Sequence, residues 1–288
     1  MTLFTIDLHM HTHFSDGRYS PAELLELAAR RGLKTVAITD HDNANGYRRG
    51  LAPAAQLGLE LIAGVELTTS WPGLDFLPGF GDVDLLGYFL DVESAAFRAV
   101  EDSALEDINR RFSECCHRLT QAGWPLAMAE LLSGTQKYPS LTSAIQAVQR
   151  KGYAADFVTG LKLVAGQWRQ VPLSQLGIAQ AIAAIHAAGG AAVLAHPAAI
   201  ECSSGLVRRE LLDELVEMGL DGLEIYHHRN DAAARQYFAD FCRTQQLVMT
   251  GGSDEHGWLP ISRLGSQPVP PEDLLALRQR AARYSKQE

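Results

Sequence analysis

Polar and apolar positions alternate over Thr5–His11, with Ile6, Leu8 and Met10 on one face and Asp7, His9 and His11 on the other, which is the period of a strand. Ser20-Pro21-Ala22-Glu23 reads as a capping box with proline in the first turn. It opens a helix to about Arg31 whose stripe is Leu24, Leu25, Leu27 and Ala28, and Gly32 stops it. Thr35–Thr39 is a short buried strand, and a second helix follows from about Asn45. Leu61–Leu67 and Asp84–Phe89 are two further strands. From Ala95 to Leu173 the pattern changes, and only helices are expected, at Leu105–Ala122, Ala127–Leu132, Leu141–Lys151 and Ala154–Val164. Alternation then resumes. Helices are expected at Ile178–Ala188, Leu206–Met218, Ala232–Gln245 and Pro271–Tyr284, and strands at Ala191–Ala195, Gly222–Tyr226 and Leu247–Thr250. Strands separated by helices predict an α/β fold with a parallel sheet and helices outside it. The domain reading is a barrel over residues 1–94 and 174–288, interrupted by an inserted helical domain over 95–173.

Composition narrows the class. The chain has 288 residues, 47% of them hydrophobic, enough for a sizeable core without disulfides. No stretch is long and apolar enough to span a membrane, and Met1–Asp7 lacks the basic and apolar segments of a signal peptide. Cys115, Cys116, Cys202 and Cys242 follow neither a disulfide nor a metal spacing, and the expectation is a cytoplasmic protein. The net charge of −9 offers long nucleic acid little to grip, because that affinity comes from neutralised phosphates. An acidic metalloenzyme acting on a small phosphorylated molecule fits the charge better.

The predicted strands carry metal-type ligands at or just past their ends, where open-sheet and barrel enzymes build active sites. His9-Met10-His11 places two imidazoles on one strand face, about 6.5–7 Å apart along it. Ser15-Asp16-Gly17, Thr39-Asp40-His41, Gly64-Val65-Glu66, Ala195-His196-Pro197 and Ser253-Asp254-Glu255-His256 follow the same rule. Taken singly, Asp16 reads as a turn residue, Asp40 and Asp42 as helix caps and His196 as a loop histidine. A purely structural barrel does not need His, Asp or Glu at five successive strand ends. Together they indicate a polynuclear metal site.

These motifs, D-L-H-x-H-T-x-x-S-D-G, A-I-T-D-H-D, G-V-E, A-H-P and S-D-x-H-G in that order, resemble the polymerase and histidinol phosphatase (PHP) domain family over roughly residues 5–92 and 175–265. The resemblance implies a distorted seven-stranded β/α barrel and a trinuclear site. His9, His11, Glu66 and Asp254 would hold the first ion, Glu66 and His196 the second, and Asp16, His41 and His256 the third. Asp84 stands where the family carries a histidine in a V-H-x-x-G-Y motif, and an oxygen ligand there favours harder ions. The implied cofactors are three divalent metal ions per chain, Mn2+ foremost, with Zn2+, Fe2+ and Mg2+ as alternatives. Tyr138-Pro139-Ser140 replaces the G-R-P-H of many relatives.

The implied reaction is phosphoester hydrolysis by a metal-bridging hydroxide, because phosphoryl transfer is mainly positioning and electrostatics. Histidinol phosphatases of the family carry a histidine where Asp16 stands. S-D-G with a helical insertion is similar to the nucleotide-acting branch, whose members remove the 3′-phosphate of nucleoside 3′,5′-bisphosphates or degrade short RNA. The expected substrate is a small bisphosphorylated nucleotide such as adenosine 3′,5′-bisphosphate. An exonuclease, a histidinol-phosphate-type phosphatase, a C–N hydrolase on the same barrel and a non-catalytic metal-binding module are the alternatives. Expected substrate contacts are Arg18, Arg229, Lys137, Lys162 and Arg169, with His227 or His228 as proton donor to the leaving oxygen. Only one of those two adjacent histidines is expected to face the site.

Overall fold

The computed structural model describes residues 4–71, 82–132, 138–172, 174–200 and 205–285. In chain order the elements are β1 (Ile6–Asp7), α1 (Pro21–Arg30), β2 (Thr35–Ile38), α2 (Asn45–Leu57), β3 (Glu60–Ser70) and β4 (Asp82–Tyr88). Next come α3 (Ala95–Gln121), α4 (Met128–Leu131), α5 (Leu141–Arg150), α6 (Phe157–Trp168), α7 (Ile178–Ala187) and β5 (Ala191–Leu194). The chain finishes with α8 (Arg209–Glu217), β6 (Gly222–Tyr226), α9 (Ala232–Gln245), β7 (Val248–Gly251) and α10 (Pro271–Ala281). One curled sheet takes all seven strands in sequence order.

The sheet is mixed, which corrects the parallel expectation. β1–β3 and β5–β7 pair in parallel, but β4 runs antiparallel to both β3 and β5. The connection between β3 and β4, residues 71–81, is too short for the crossover a parallel pair needs. Reversal has a useful result. Asp84 pairs with Thr68 near the start of β4, so it lies at the same sheet end as the C-terminal ends of the parallel strands.

β1 is shorter than the alternation predicts, because past Asp7 the chain leaves the regular ladder to close the sheet. Thr39 N–H donates to the Met10 carbonyl at 2.9 Å on one side. On the other, Leu8 N–H donates to Gly251 O at 3.2 Å, Asp254 N–H to His9 O at 2.9 Å and His11 N–H to Glu255 O at 3.0 Å. The seam tolerates no side chain at Gly252, where a Cβ would stand 2.4 Å from the His9 backbone nitrogen. Asp7 fastens it: its buried carboxylate accepts from Ser253 N–H at 2.8 Å and Gly265 N–H at 2.9 Å.

Alternate residues sort into two cores. Leu86, Tyr88, Ala191 and Val193 point into the curl with Ile6 and Leu8, and α10 covers that cluster with Leu277 and Ala281. Val83, Leu85, Ala192 and Leu194 point outward onto α7, α8 and α9. The predicted Ser20–Glu23 capping box is present. α3 begins at Ala95, ahead of the expected Leu105, because Ser94 caps it and Phe97 and Val100 already pack on the outer barrel core. Its second half, through Phe112, Cys115 and Leu119, builds a separate core with Ile145 and Val148 of α5 and Val164 of α6.

Replacing Asp7 by Ala leaves three buried N–H groups, of His9, Ser253 and Gly265, without this acceptor, at roughly 1–3 kcal/mol each. Thermal unfolding of Asp7→Ala is therefore expected well below that of the parent, and an unchanged Tm would show that the seam does not depend on this carboxylate.

Candidate metal centre

Glu66 lies within β3, because the β3–β4 pairing prolongs the strand to Ser70 past its expected end at Leu67. Its carboxylate is buried. Oε2 sits 3.1 Å from His9 Nε2, 3.2 Å from His11 Nε2 and 3.4 Å from His41 Nε2, and Oε1 sits 3.0 Å from His196 Nε2. Asp254 comes from the far side of the seam, with Oδ1 3.5 Å from His9 Nε2 and 3.3 Å from His11 Nε2. Asp16 Oδ2 stands 3.1 Å from His256 Nε2. Asp84 Oδ2 stands 3.8 Å from His196 Nε2. The candidate ligand atoms form groups within 4.8 Å of one another: His9, Glu66 and His196; His9, His11 and Asp254; His11, Asp16, His41 and His256; and His41, Glu66 and Asp84. All nine metal-type residues of the sequence reading thus meet at one end of the sheet.

Electrostatics binds the cluster together. Burial alone would raise the Glu66 pKa, but the charges of His9 and His41 and the bonds from His11 and His196 hold it well below the usual carboxylate range. The same opposition holds for Asp254, with His256 and His9 as its main partners. Burial opposes protonation of His41 and His256, yet Glu66, Asp16 and Asp254 push them up to about 9 and about 10. Asp84 behaves differently: burial and the neighbouring Glu66 charge raise it to about 6. A set of imidazoles around converging carboxylates at these separations suits divalent ions with mixed nitrogen and oxygen ligation. The buried Nδ1 atoms of His41 and His196, which have no hydrogen-bond partner, add polar capacity beside it.

Three further carboxylates brace this set, one of them, Glu224, not singled out from sequence. Glu224 on β6 is fully buried; its Oε1 lies 2.9 Å from His9 Nδ1, and its Oε2 accepts from His196 N–H at 2.8 Å. With His9 Nδ1–H donating to Glu224, the Nε2 of a neutral His9 ring would face the cluster with its lone pair. Asp40 caps no helix. It accepts from Thr12 N–H and Ser15 Oγ–H, each at 2.7 Å, and so braces the turn that carries Asp16. Asp42 accepts from Thr68 N–H at 2.8 Å, whereas α2 begins after Ala44 with no side-chain cap. Glu224 does not stand out from sequence, because a buried strand carboxylate has no spacing signature, and the helix-cap reading of Asp40 and Asp42 gives way to these contacts.

The remaining candidates divide. Arg169 and Arg229 line a cavity of about 600 Å³ that opens over the cluster. Arg18 is exposed and Lys162 faces outward on α6, and neither is among the residues lining the cavity. Lys137 lies outside the described residues. His227 is buried beside Asp254, at 3.4 Å from Oδ2, and its Nδ1 accepts from Arg229 N–H at 3.2 Å. That bond puts the ring proton on Nε2, where it orients Asp254. His228 turns its Nε2 to Arg263 at 3.0 Å, although one of its nitrogens also lies within 4.8 Å of His227 and Asp254. Neither histidine is among the cavity-lining residues. Arg111, unremarked in sequence, does line the cavity; it is paired with Asp82 and stacked 4.6 Å above Trp168.

A model of the PHP domain matches residues 7–161. The chain is 30% identical over 269 residues to a 5′-3′ exoribonuclease of Haemophilus influenzae, covering 89% of this chain and 93% of the relative. It is 29% identical to a phosphoribosyl 1,2-cyclic phosphate 1,2-diphosphodiesterase of Eggerthella lenta, over 87% of this chain and 94% of the relative. A 3′,5′-nucleoside bisphosphate phosphatase of Chromobacterium violaceum is 29% identical over 87% of each chain. Among solved structures, a putative metal-dependent phosphoesterase from Bifidobacterium adolescentis superposes with a TM-score of 0.83 at 26% identity, over 96% of both chains. The chain belongs to the PHP domain family, and its cluster fits the metal-dependent phosphoesterases of that type.

Removing the Glu224 carboxylate should free His9 to rotate and to change tautomer. Glu224→Ala is expected to weaken Mn2+ binding about 10–100-fold, as read by equilibrium dialysis. Binding equal to the parent would show that His9 needs no such partner.

Proposed function

We propose that this phosphoesterase releases the 3′-phosphate of small nucleoside 3′,5′-bisphosphates, such as adenosine 3′,5′-bisphosphate, leaving the 5′-nucleotide. The observation that supports it is a cavity with two unlike ends. One wall is the cluster of imidazoles and carboxylates; the other, from the insertion over 95–173, is Leu105, Ile108, Leu161, Ala165 and Trp168. A cavity of about 600 Å³ suits a small molecule whose phosphate meets the cluster and whose base and sugar meet the apolar wall. Bound divalent ions, Mn2+ foremost, would supply Lewis acidity and a nucleophilic hydroxide. His9, His11, Asp16, His41, Glu66, Asp84, His196, Asp254 and His256 would hold them.

The chain's own groups do the rest. Arg169 and Arg229, which line the cavity, would take a second phosphate by charge-assisted hydrogen bonds. Arg111, which also lines the cavity, donates to Pro172 O at 3.0 Å and pairs with Asp82. A second phosphate held away from the reacting one adds binding that orients the ester. Net charge argues against an extended nucleic-acid track. The Haemophilus exoribonuclease supports a second reading, hydrolysis of short oligonucleotides from one end.

A comparison of kcat/KM for adenosine 3′,5′-bisphosphate, 3′-AMP, histidinol phosphate and a 5′-phosphorylated pentanucleotide separates the readings. The bisphosphate is expected to lead, and Arg229→Ala and Arg169→Ala together should bring it down to the level of 3′-AMP. A lead for the pentanucleotide would replace this reading by the exonuclease one.

A further inference from the structure

Trp258 follows the Ser253–Gly257 motif and makes two contacts of different kinds. Its indole N–H donates to the backbone carbonyl of Asp16 at 2.8 Å. Its ring stacks on Phe157, with centroids 6.2 Å apart and planes 19° from parallel. Asp16 sits in a turn too tight for any side chain after it, since a Cβ on Gly17 would stand 2.3 Å from His11 O. The Asp16 carboxylate shares its pocket with His11, His41 and His256. Phe157 opens α6, and Leu161, Ala165 and Trp168 recur from it at helical spacing on the face that lines the cavity.

We infer that Trp258 is a positioning residue that joins the Asp16 pocket to the cavity wall of the insertion. The indole N–H fixes the height of the Asp16 turn, and so the distance from its carboxylate to His256. The ring gives α6 a fixed stop on the barrel, and so sets the gap between the apolar wall and the cluster. This assignment rests on the metal-site reading given above. The two contacts belong to separate atoms of one side chain, so they are separable by substitution. Trp258→Phe keeps an aromatic face for Phe157 and removes the donor to Asp16. Phe157→Ala removes the ring contact and keeps the donor.

The test is a titration of the metal-free full chain with Mn2+, following free Mn2+ by electron paramagnetic resonance. It is joined to steady-state kinetics on p-nitrophenyl phosphate at saturating Mn2+. Trp258→Phe is expected to weaken the most weakly held Mn2+ about tenfold, one hydrogen bond's worth, with KM at saturating metal unchanged. Phe157→Ala is expected to leave every Mn2+ affinity as in the parent and to raise KM several-fold. A purely structural role would lower Tm in both variants without this split. Parent-like Mn2+ binding in Trp258→Phe, or a parent-like KM in Phe157→Ala, overturns the assignment. Failure of the parent chain itself to bind Mn2+ would instead sink the metal-site reading on which it stands.

Discussion

Four imidazoles reach one buried carboxylate, and the rest of the molecule is arranged so that they can. Glu66 is 1% exposed and lies against His9, His11, His41 and His196. An isolated carboxylate in such a place would be driven to its neutral form by desolvation. It stays ionised because cationic or metal-coordinating groups come from three other parts of the sheet. They arrive on the extension of β1, the end of β2 and the end of β5. The requirement that these segments end at one level explains the closing seam, with Asp7 tying Ser253 and Gly265 to the start of the chain.

The same constraint gives meaning to the irregular strand. A fully parallel sheet would carry the start of β4 to the opposite end, away from Glu66. Reversal of β4 brings Asp84 within 4.8 Å of Glu66 and His41, and it leaves the outward face of that strand for α7. Helices α3 and α6 add an apolar wall facing a polar one. The insertion has its own core, but α3 is rooted in the barrel core through Phe97 and Val100, so the wall is carried on a continuous helix. A metal-dependent phosphoesterase needs both parts: charge to meet the phosphate, and a shaped surface for whatever the phosphate is attached to.

Much of this was legible in the sequence. Short motifs carry the metal-type residues because most sit at or just past a strand end, where few positions satisfy both the turn and the site; Glu66, inside β3, is an exception. Helices announced themselves through capping and stripe, as at Ser20–Glu23. Three things were not legible. Strand direction at β4 depends on a connection length that hydrophobic periodicity does not weigh. Glu224 alternates like any strand residue, and nothing local says that its side chain meets His9 on another strand. Lys162 was expected at the site as a cation of the helical segment and Arg18 as the neighbour of S-D-G, whereas helix phase turns Lys162 outward, and Arg18 follows a tight turn that leaves it exposed.

Divalent ions bound in this cluster would take the place of protons it now holds. Calorimetric titration of the metal-free chain with Mn2+ at pH 7, in two buffers of different ionisation enthalpy, counts the protons released on binding. His41 and His256, at about 9 and about 10, are protonated at that pH and must be neutral to ligate. Binding should therefore release protons, strengthen as pH rises, and lose most of its heat in Glu66→Gln. Binding without proton release, or binding that Glu66→Gln leaves intact, would contradict this exchange.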